Sequence, residues 1–397
     1  MIRKFLVVAL ALITSASHAQ INARKGLIGF TSPINGGYVA AQYTATHNAR
    51  CVGGTIGGTT YPKITPFYIG IGNGSGEQFS VSVGGSVAST TSYVVDSVSK
   101  VLYASYVTQK RGSYSALTAH NSGYTSDIDM LSFQSGFTSM GSQTTGQQCA
   151  PSNSTVNQCL ALPTSCTGSA CFNYQTVANE GVFNYDSGHD ENHAGLYQSE
   201  INATAANGIG TAYDTQFGIT GNQNICPGTY NSSGLCSSAT TLVHQAFFFQ
   251  QPLLAGGVYT TEAYLATFLR NVINGSIYIG QGLGQNDTCA WTGCATGPNG
   301  GVASSPIAGN DWYYEPGWWH EVTSSGNGND GSFSGIGAAG EYIWLNSTMT
   351  QYGVLHRYQA PNGATYNGQN SQACALLIRT AWNTGIKQCG ATPGTSC

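Results

Sequence analysis

The sequence predicts a mixed α/β (α+β) protein, an antiparallel sheet flanked by helices with a mostly helical lobe inserted between two groups of strands. Three observations carry this. Before residue 95, short segments alternate polar and apolar residues and are punctuated by glycines, the period of half-buried strands. From residue 101 onward the apolar spacing becomes helical, with irregular cysteine-containing loops between helices. Near Trp312 short aromatic-rich strands return, and the chain closes on a helix. Strands, helices, strands and a last helix, in that order, are most simply met by one sheet interrupted by an insertion.

In chain order, residues 37–43, 67–71 and 78–83 alternate as strands. Residues 101–110, 188–207 and 261–272 carry apolar residues at helical spacing. Residues 311–315, 317–321, 341–345 and 351–358 form an antiparallel-looking series. Residues 371–387 make a terminal helix, pinned by Cys374 and Cys389. The expected division is a sheet lobe of residues 20–100 and 305–397 and a helical lobe of 101–304. A cleft between lobes is where a site is expected.

The first nineteen residues have the layout of a secretory signal. Arg3 and Lys4 form a charged start, residues 5–13 an apolar run too short to span a bilayer, and Ser17-His-Ala19 a small-residue cleavage site. The mature chain is expected to begin near Gln20 and to be secreted or periplasmic. All twelve cysteines lie beyond that point, an even number suited to disulfides in an oxidising compartment. No C-x-x-C pair suggests a metal cluster. Cys166 with Cys171, Cys226 with Cys236, and Cys289 with Cys294 look like local loop staples, but spacing leaves the connectivity open. Charged residues are only 8% and the net charge is −4, so no basic patch exists for nucleic acid. Beyond the signal, no stretch is long and apolar enough for a membrane span.

The segment with most chemistry in it is Ser97-Val-Ser-Lys100. It reads as the first turn of a helix, where positions i and i+3 share a face. A lysine so placed can take the serine's proton and make an acylating nucleophile of a weak alcohol. This is the S-x-x-K arrangement. The plainer alternative is a helix start with a surface lysine.

Five segments, in order, resemble the serine beta-lactamase and penicillin-binding-protein-like hydrolases, the branch with class C beta-lactamases, D-alanyl-D-alanine carboxypeptidases, family VIII esterases and 6-aminohexanoate-dimer hydrolases. Val95-Asp-Ser-Val-Ser-Lys100 is similar to the nucleophile helix start. Asp129-Met-Leu-Ser-Phe-Gln-Ser-Gly-Phe137 is similar to the segment that follows it. The stretch from Phe183 to Leu196 is similar to the one carrying Y-x-N, and that from Pro252 to Phe268 resembles the glycine-rich lead into a later helix. Gly335-Ile-Gly-Ala-Ala-Gly-Glu-Tyr-Ile-Trp-Leu345 is similar to the strand bearing K-T-G. The resemblance implies a beta-lactamase/transpeptidase-like fold over roughly residues 80–360. It also implies Ser97 as nucleophile, Lys100 as general base and Tyr185 as proton relay. The backbone N–H groups of Ser97 and Glu341 would form an oxyanion hole.

Two departures bear on the substrate. Ser187 stands where the family often has asparagine, and Ala338-Ala339-Gly340 stands where beta-lactamases have Lys-Thr-Gly. Ser187, Ala338, Ala339 and Gly340 would line the substrate, with no cation to pair with a carboxylate; Arg357 and Arg379 are the remaining candidates for one. The expectation is a secreted esterase or amidase of small neutral substrates. The alternatives are a beta-lactamase or D-alanyl-D-alanine carboxypeptidase, and a catalytically silent secreted binding protein that kept the fold. The partner would be a small-molecule ester, amide or peptide; the oligomeric state is left open.

Other signals point to less. Residues 335–340 match G-x-G-x-x-G, but a strand follows where a dinucleotide loop needs a helix, so no cofactor is expected. His189 and His193 stand at i and i+4 but lack an evident third ligand, and His320-Glu321 does not complete H-E-x-x-H, so no metal is expected. Trp312 to Trp319 reads as core or cleft wall rather than a sugar-stacking surface. No G-x-S-x-G elbow offers a different nucleophile.

Overall fold

The computed structural model describes residues 36–137, 175–186, 188–197, 206–221, 224–226, 254–293, 301–307, 309–322, 329–359 and 367–397, with positions 156 and 160. The signal segment 1–19, Ser187 and six of the cysteines (149, 159, 166, 171, 236 and 294) lie outside them.

Two small strands, β1 (Gly54–Ile56) and β2 (Thr59–Tyr61), form a hairpin. The main sheet begins with β3 (Phe67–Asn73) and β4 (Gly76–Val83). It is completed by β8 (Thr288–Cys289), β10 (Tyr313–Glu315), β11 (Trp318–His320), β12 (Phe333–Ile336), β13 (Tyr342–Leu345) and β14 (Gln351–His356), in the order β4-β3-β14-β13-β12-β11-β10-β8. All its pairings are antiparallel. The early and late strands therefore do build one sheet, joined where β14 pairs with β3. Shorter pairs are β5 (Ser92–Val94) with β7 (Tyr259–Thr261), and β6 (Phe183–Asn184) with β9 (Val302–Ser304) in parallel.

Eight helices accompany these strands among the described residues: α1 (Gly36–His47), α2 (Ala49–Val52), α3 (Val98–Arg111), α4 (Asp127–Leu131), α5 (Gly188–Tyr197), α6 (Ala206–Phe217), α7 (Glu262–Ile273) and α8 (Asn367–Thr384). They cover both faces of the sheet, and β13 shows how. All four of its residues are buried. Ile343 and Leu345 join the core containing α3 and α7, whereas Tyr342 and Trp344 join the core containing α1 and α8. Strand alternation thus feeds two cores from one strand, which explains why β13 reads as a continuous apolar run.

The expected strand at residues 37–43 is a correction: it lies inside α1. Its buried positions are Gly37, Ala40, Ala41, Thr44 and Ala45, the i, i+3, i+4, i+7, i+8 pattern of a helix face. Three of the five are alanine and one is glycine, so the helical stripe is faint beside the louder Tyr-Val alternation. The small residues permit close packing on α8: a Cβ on Gly37 would come within 2.4 Å of the Trp382 carbonyl oxygen.

Cys51 is bonded to Cys374, and Cys389 to Cys397. The terminal helix is therefore tied to the start of the described chain. Cys226 and Cys289 are also disulfide-bonded. No helix among the described residues is long and apolar enough to cross a membrane.

The Cys51–Cys374 bond spans 323 residues of sequence, and removing so long a cross-link enlarges the unfolded ensemble. Replacing both cysteines by alanine should cost about 2–5 kcal/mol, read as a lower urea midpoint. An unchanged midpoint would show that α2 and α8 hold together by packing alone.

Candidate active site

The site is built around the first turn of α3. Ser97 occupies the N-cap position, where a serine side chain ordinarily accepts a hydrogen bond from the helix's own amides. Here it makes no capping bond. The Ser97 hydroxyl instead meets the Lys100 amine, at 3.1 Å, and the same amine donates to the Ala255 carbonyl at 2.6 Å. Lys100 is only 4% exposed, which sets aside the surface-lysine alternative. Ser97 itself is half-buried and remains reachable.

Aromatic rings complete the amine's surroundings. Lys100 Nζ lies 4.9 Å from the centre of the Tyr185 ring and 5.9 Å from that of Phe133. Tyr185 follows β6, its amide donating to the Ser304 carbonyl at 2.9 Å. Its ring is stacked on Trp319 and set edge-on against Phe133 and Tyr314. Trp312, Trp318 and Trp319 are buried, so the aromatic run is core and cleft wall, as its sequence suggests.

All five sequence segments meet at this turn. The Leu254–Val258 stretch runs alongside it: the Val95 amide donates to the Val258 carbonyl at 2.9 Å, and the Val258 amide to the Ser99 hydroxyl at 3.0 Å. From the β12–β13 turn, the Ala339 amide donates to Asp96 Oδ2 at 2.6 Å. Within that turn the Gly340 amide donates to the Gly337 carbonyl at 3.0 Å and leads directly into Glu341. The Glu341 carboxylate points elsewhere. It is buried, with Oε2 2.8 Å from His356 Nδ1, while His356 Nε2 lies 2.8 Å from the Thr91 carbonyl. Burial pushes the Glu341 carboxyl up, against the pull of His356.

Close packing here depends on glycine. A Cβ at Gly317 would come within 2.6 Å of the Lys100 carbonyl, one at Gly335 within 2.7 Å of Val101, and one at Gly337 within 2.5 Å of the Val95 carbonyl. Gly317 also has φ +76°, a left-handed backbone that glycine adopts without penalty.

Several participants carry no sequence signal. Asp96 has φ 46°, unusual outside glycine though tolerated by Asp and Asn. Its carboxyl is pushed up to about 6, mainly by burial, against the Ala339 amide and Lys100. Glu191 accepts from the Leu254 and Ala255 amides at 3.0 and 3.3 Å, fixing the strap whose carbonyl receives Lys100. The carboxyl of Glu191 is pushed up to about 7, first by burial.

The two spaced histidines are engaged at both ring nitrogens. His189 bonds Ser135 and the Asn184 carbonyl, and His193 bonds Tyr103 and Asp127. Burial lowers the pKa of each, that of His189 to about 3. They are structural, not a metal pair. Arg379 is buried in contact with Glu321, Asp330 and Tyr342. Arg357 lies against Gly340 but is 2% exposed, bonded to Ser371 and Gln359.

Solved structures with the same arrangement of elements exist. A D-stereospecific amidohydrolase from Streptomyces sp. superposes with a TM-score of 0.52 at 12% identity, over 88% of this chain and 99% of that one. The hydrolase EstCE1, described as having promiscuous acyltransferase activity, gives 0.51 at 14% identity over 86% and 99%. FmtA from Staphylococcus aureus gives 0.50 at 12% identity over 81% and 87%. The fold is that of the beta-lactamase and penicillin-binding-protein-like hydrolases. No protein-family model matches the chain, and no curated protein matches it in sequence. At such identities the beta-lactamase-like fold persists through its packing, with little of the sequence in common.

Asp96 generates a prediction about pH. Its folded pKa, about 6, exceeds the ordinary carboxyl value of 3.8, so the folded state holds the proton more tightly than the unfolded chain. Asp96 therefore weighs against folding increasingly as pH rises from 3.8 to 6, and by its full amount above that. Asp96→Asn keeps an acceptor for the Ala339 amide and a residue tolerant of positive φ, and removes the charge. Relative to the unaltered chain, the variant should gain stability in urea between pH 3.5 and 7.5. An equal difference at both pH values would refute the assignment.

Proposed function

We propose that this chain is a secreted serine hydrolase that works through an acyl-enzyme on Ser97. The observation that carries the proposal is the Ser97 hydroxyl, freed from capping and set 3.1 Å from a buried amine. The mechanism proposed takes its residue roles from the family resemblance, and the Ser97–Lys100 contact supports it. In this mechanism the Lys100 amine accepts the Ser97 proton while still donating to the Ala255 carbonyl. Ser97 Oγ attacks the substrate carbonyl carbon. The oxygen that gains charge is held by the amides of Ser97 and Glu341, which act on charge that develops only in the transition state. Tyr185, stacked beside the amine, passes the proton to the leaving group. Water then enters by the reverse route and releases the acid.

On this reading the substrate would meet the Ala338-Ala339-Gly340 turn, and the resemblance adds Ser187, which is outside the described residues. That turn has no charged side chain, and the nearby Arg357 is buried with its guanidinium turned to Ser371 and Gln359. The reading that fits is a neutral ester or amide. An amidohydrolase and a hydrolase with acyltransferase activity among the similar folds agree with acyl transfer as the chemistry. The signal-like start and the disulfides support export.

Ser97→Ala should reduce hydrolysis of p-nitrophenyl acetate to background while the thermal midpoint changes little, since one polar atom is lost. A variant that keeps most of its activity would remove Ser97 from the mechanism; an unaltered chain inactive on every ester and amide tried would favour a silent binding protein.

Substrate class is tested separately. A charge-assisted contact to a carboxylate is worth about 1.5–3 kcal/mol, or roughly ten- to hundredfold in rate. Without it, catalytic efficiency should be greater for p-nitrophenyl acetate than for nitrocefin. The opposite order would indicate a carboxylate-binding cation and a beta-lactamase or carboxypeptidase.

A further inference from the structure

The far edge of the main sheet carries a cluster that this mechanism does not use. Glu315 ends β10, His320 ends β11 and Asp287 immediately precedes β8. The register explains their meeting. Tyr314 pairs with Thr288, so extending the ladder by one residue sets Asp287 opposite Glu315. Tyr313 pairs with His320, two residues from Glu315 and so on the same face. One ligand atom from each of the three side chains lies within 4.8 Å of the others.

The cluster is more than neighbouring acids. Glu315 is fully buried at 0% exposure. Its Oε1 accepts from the Gly284 amide, but Oε2 is buried with no hydrogen-bond partner among the described residues, an expensive state for a carboxylate oxygen. His320 aims Nδ1 at both Asp287 oxygens, 2.9 and 3.0 Å away, and its ring is held by stacking on Phe333 at 4.5 Å. Three side chains that can ligate a metal thus converge from three neighbouring strand ends, and the buried one, Glu315, is pressed against Asp287, which with burial pushes its carboxyl up to about 9.

We propose that Asp287, Glu315 and His320 bind a divalent cation, zinc in the first instance. Two carboxyl groups held side by side with an imidazole form a mixed oxygen and nitrogen donor set, which such an ion holds once it has displaced their protons. An imidazole beside carboxylates suits zinc, which takes nitrogen and oxygen ligands in tetrahedral sites. Calcium and magnesium favour all-oxygen sets. Three protein ligands leave the fourth position to water. On binding, the ion displaces to solvent the protons that the three side chains hold, that of the Glu315 carboxyl included, and ligates Glu315 Oε2.

The role is to brace the sheet edge. Glu315 and His320 flank the β10–β11 turn, whose Gly317 backbone bears on the first turn of α3. A cation there clamps the hairpin against which the Ser97–Lys100 turn is packed, without touching the reacting groups.

The test uses the full chain, stripped with a chelator and dialysed, then titrated with zinc chloride by calorimetry and followed by thermal denaturation. One equivalent should bind and raise the midpoint. Asp287→Asn and His320→Ala should each weaken binding by at least about tenfold. The exposed Asp287 makes its variant the safer one for folding, and Glu315→Gln then tests the buried ligand. Less than a tenth of an equivalent bound, or binding unchanged in Asp287→Asn and His320→Ala, would overturn the proposal.

Discussion

Everything around the site follows from burying one lysine amine. Lys100 is surrounded by chain, yet its nitrogen needs hydrogen-bond partners, because an unpaired buried amine is costly. The structure supplies two: the Ser97 hydroxyl, three residues back on the same helix, and the Ala255 carbonyl, reached across the chain. Aromatic rings of Tyr185 and Phe133 lie 4.9 and 5.9 Å from it, and the buried carboxyls of Asp96 and Glu191 interact with its charge. The serine hydroxyl gives up its capping role to take part, so the pairing on which the chemistry rests is also a solution to a solvation problem.

That pairing imposes requirements on distant parts of the sequence. The 254–258 strap must present a carbonyl at one place, and three hydrogen bonds along the nucleophile turn, with Glu191 beneath, keep it there. The sheet must come close to the helix start, which glycines at 317, 335 and 337 permit. Asp96, held with a left-handed backbone and bonded to the Ala339 amide, joins the nucleophile turn to the β12–β13 turn. The two amides proposed to hold the oxyanion, on Ser97 and Glu341, belong to the two turns that this contact links. Positioning residues outnumber reacting ones, as expected when rate depends on fixed geometry.

Much of this was legible in the sequence, for definite reasons. Strands β3, β4, β11, β13 and β14 and helices α3, α7 and α8 announce themselves because their apolar residues are large and regularly spaced. Helix α1 does not, because its buried face is alanine and glycine. The Ser97–Lys100 relation follows from helical geometry alone. Tyr185 was legible only by resemblance, since a tyrosine after a two-residue strand has no local signature. Asp96, Ala255 and Glu191 were not legible at all. A backbone carbonyl has no sequence signal, and a buried acid is recognised as such only once its partners have been brought together. The Asp287, Glu315 and His320 cluster is hidden for the same reason: its members are up to 33 residues apart and meet only through strand register. The disulfide partners of Cys374 and Cys389 likewise depend on which helices pack together.

The central claim is that Ser97 is activated by Lys100 for acylation. Its most direct measurement is mass spectrometry of the full chain after exposure to a fluorophosphonate probe, with peptide mapping of the adduct. The account predicts a single adduct on Ser97 that is lost in Lys100→Ala, because the hydroxyl is reachable and the amine hydrogen-bonded to it is its proposed base. No adduct, or one on another serine such as Ser99 or Ser135, would contradict it.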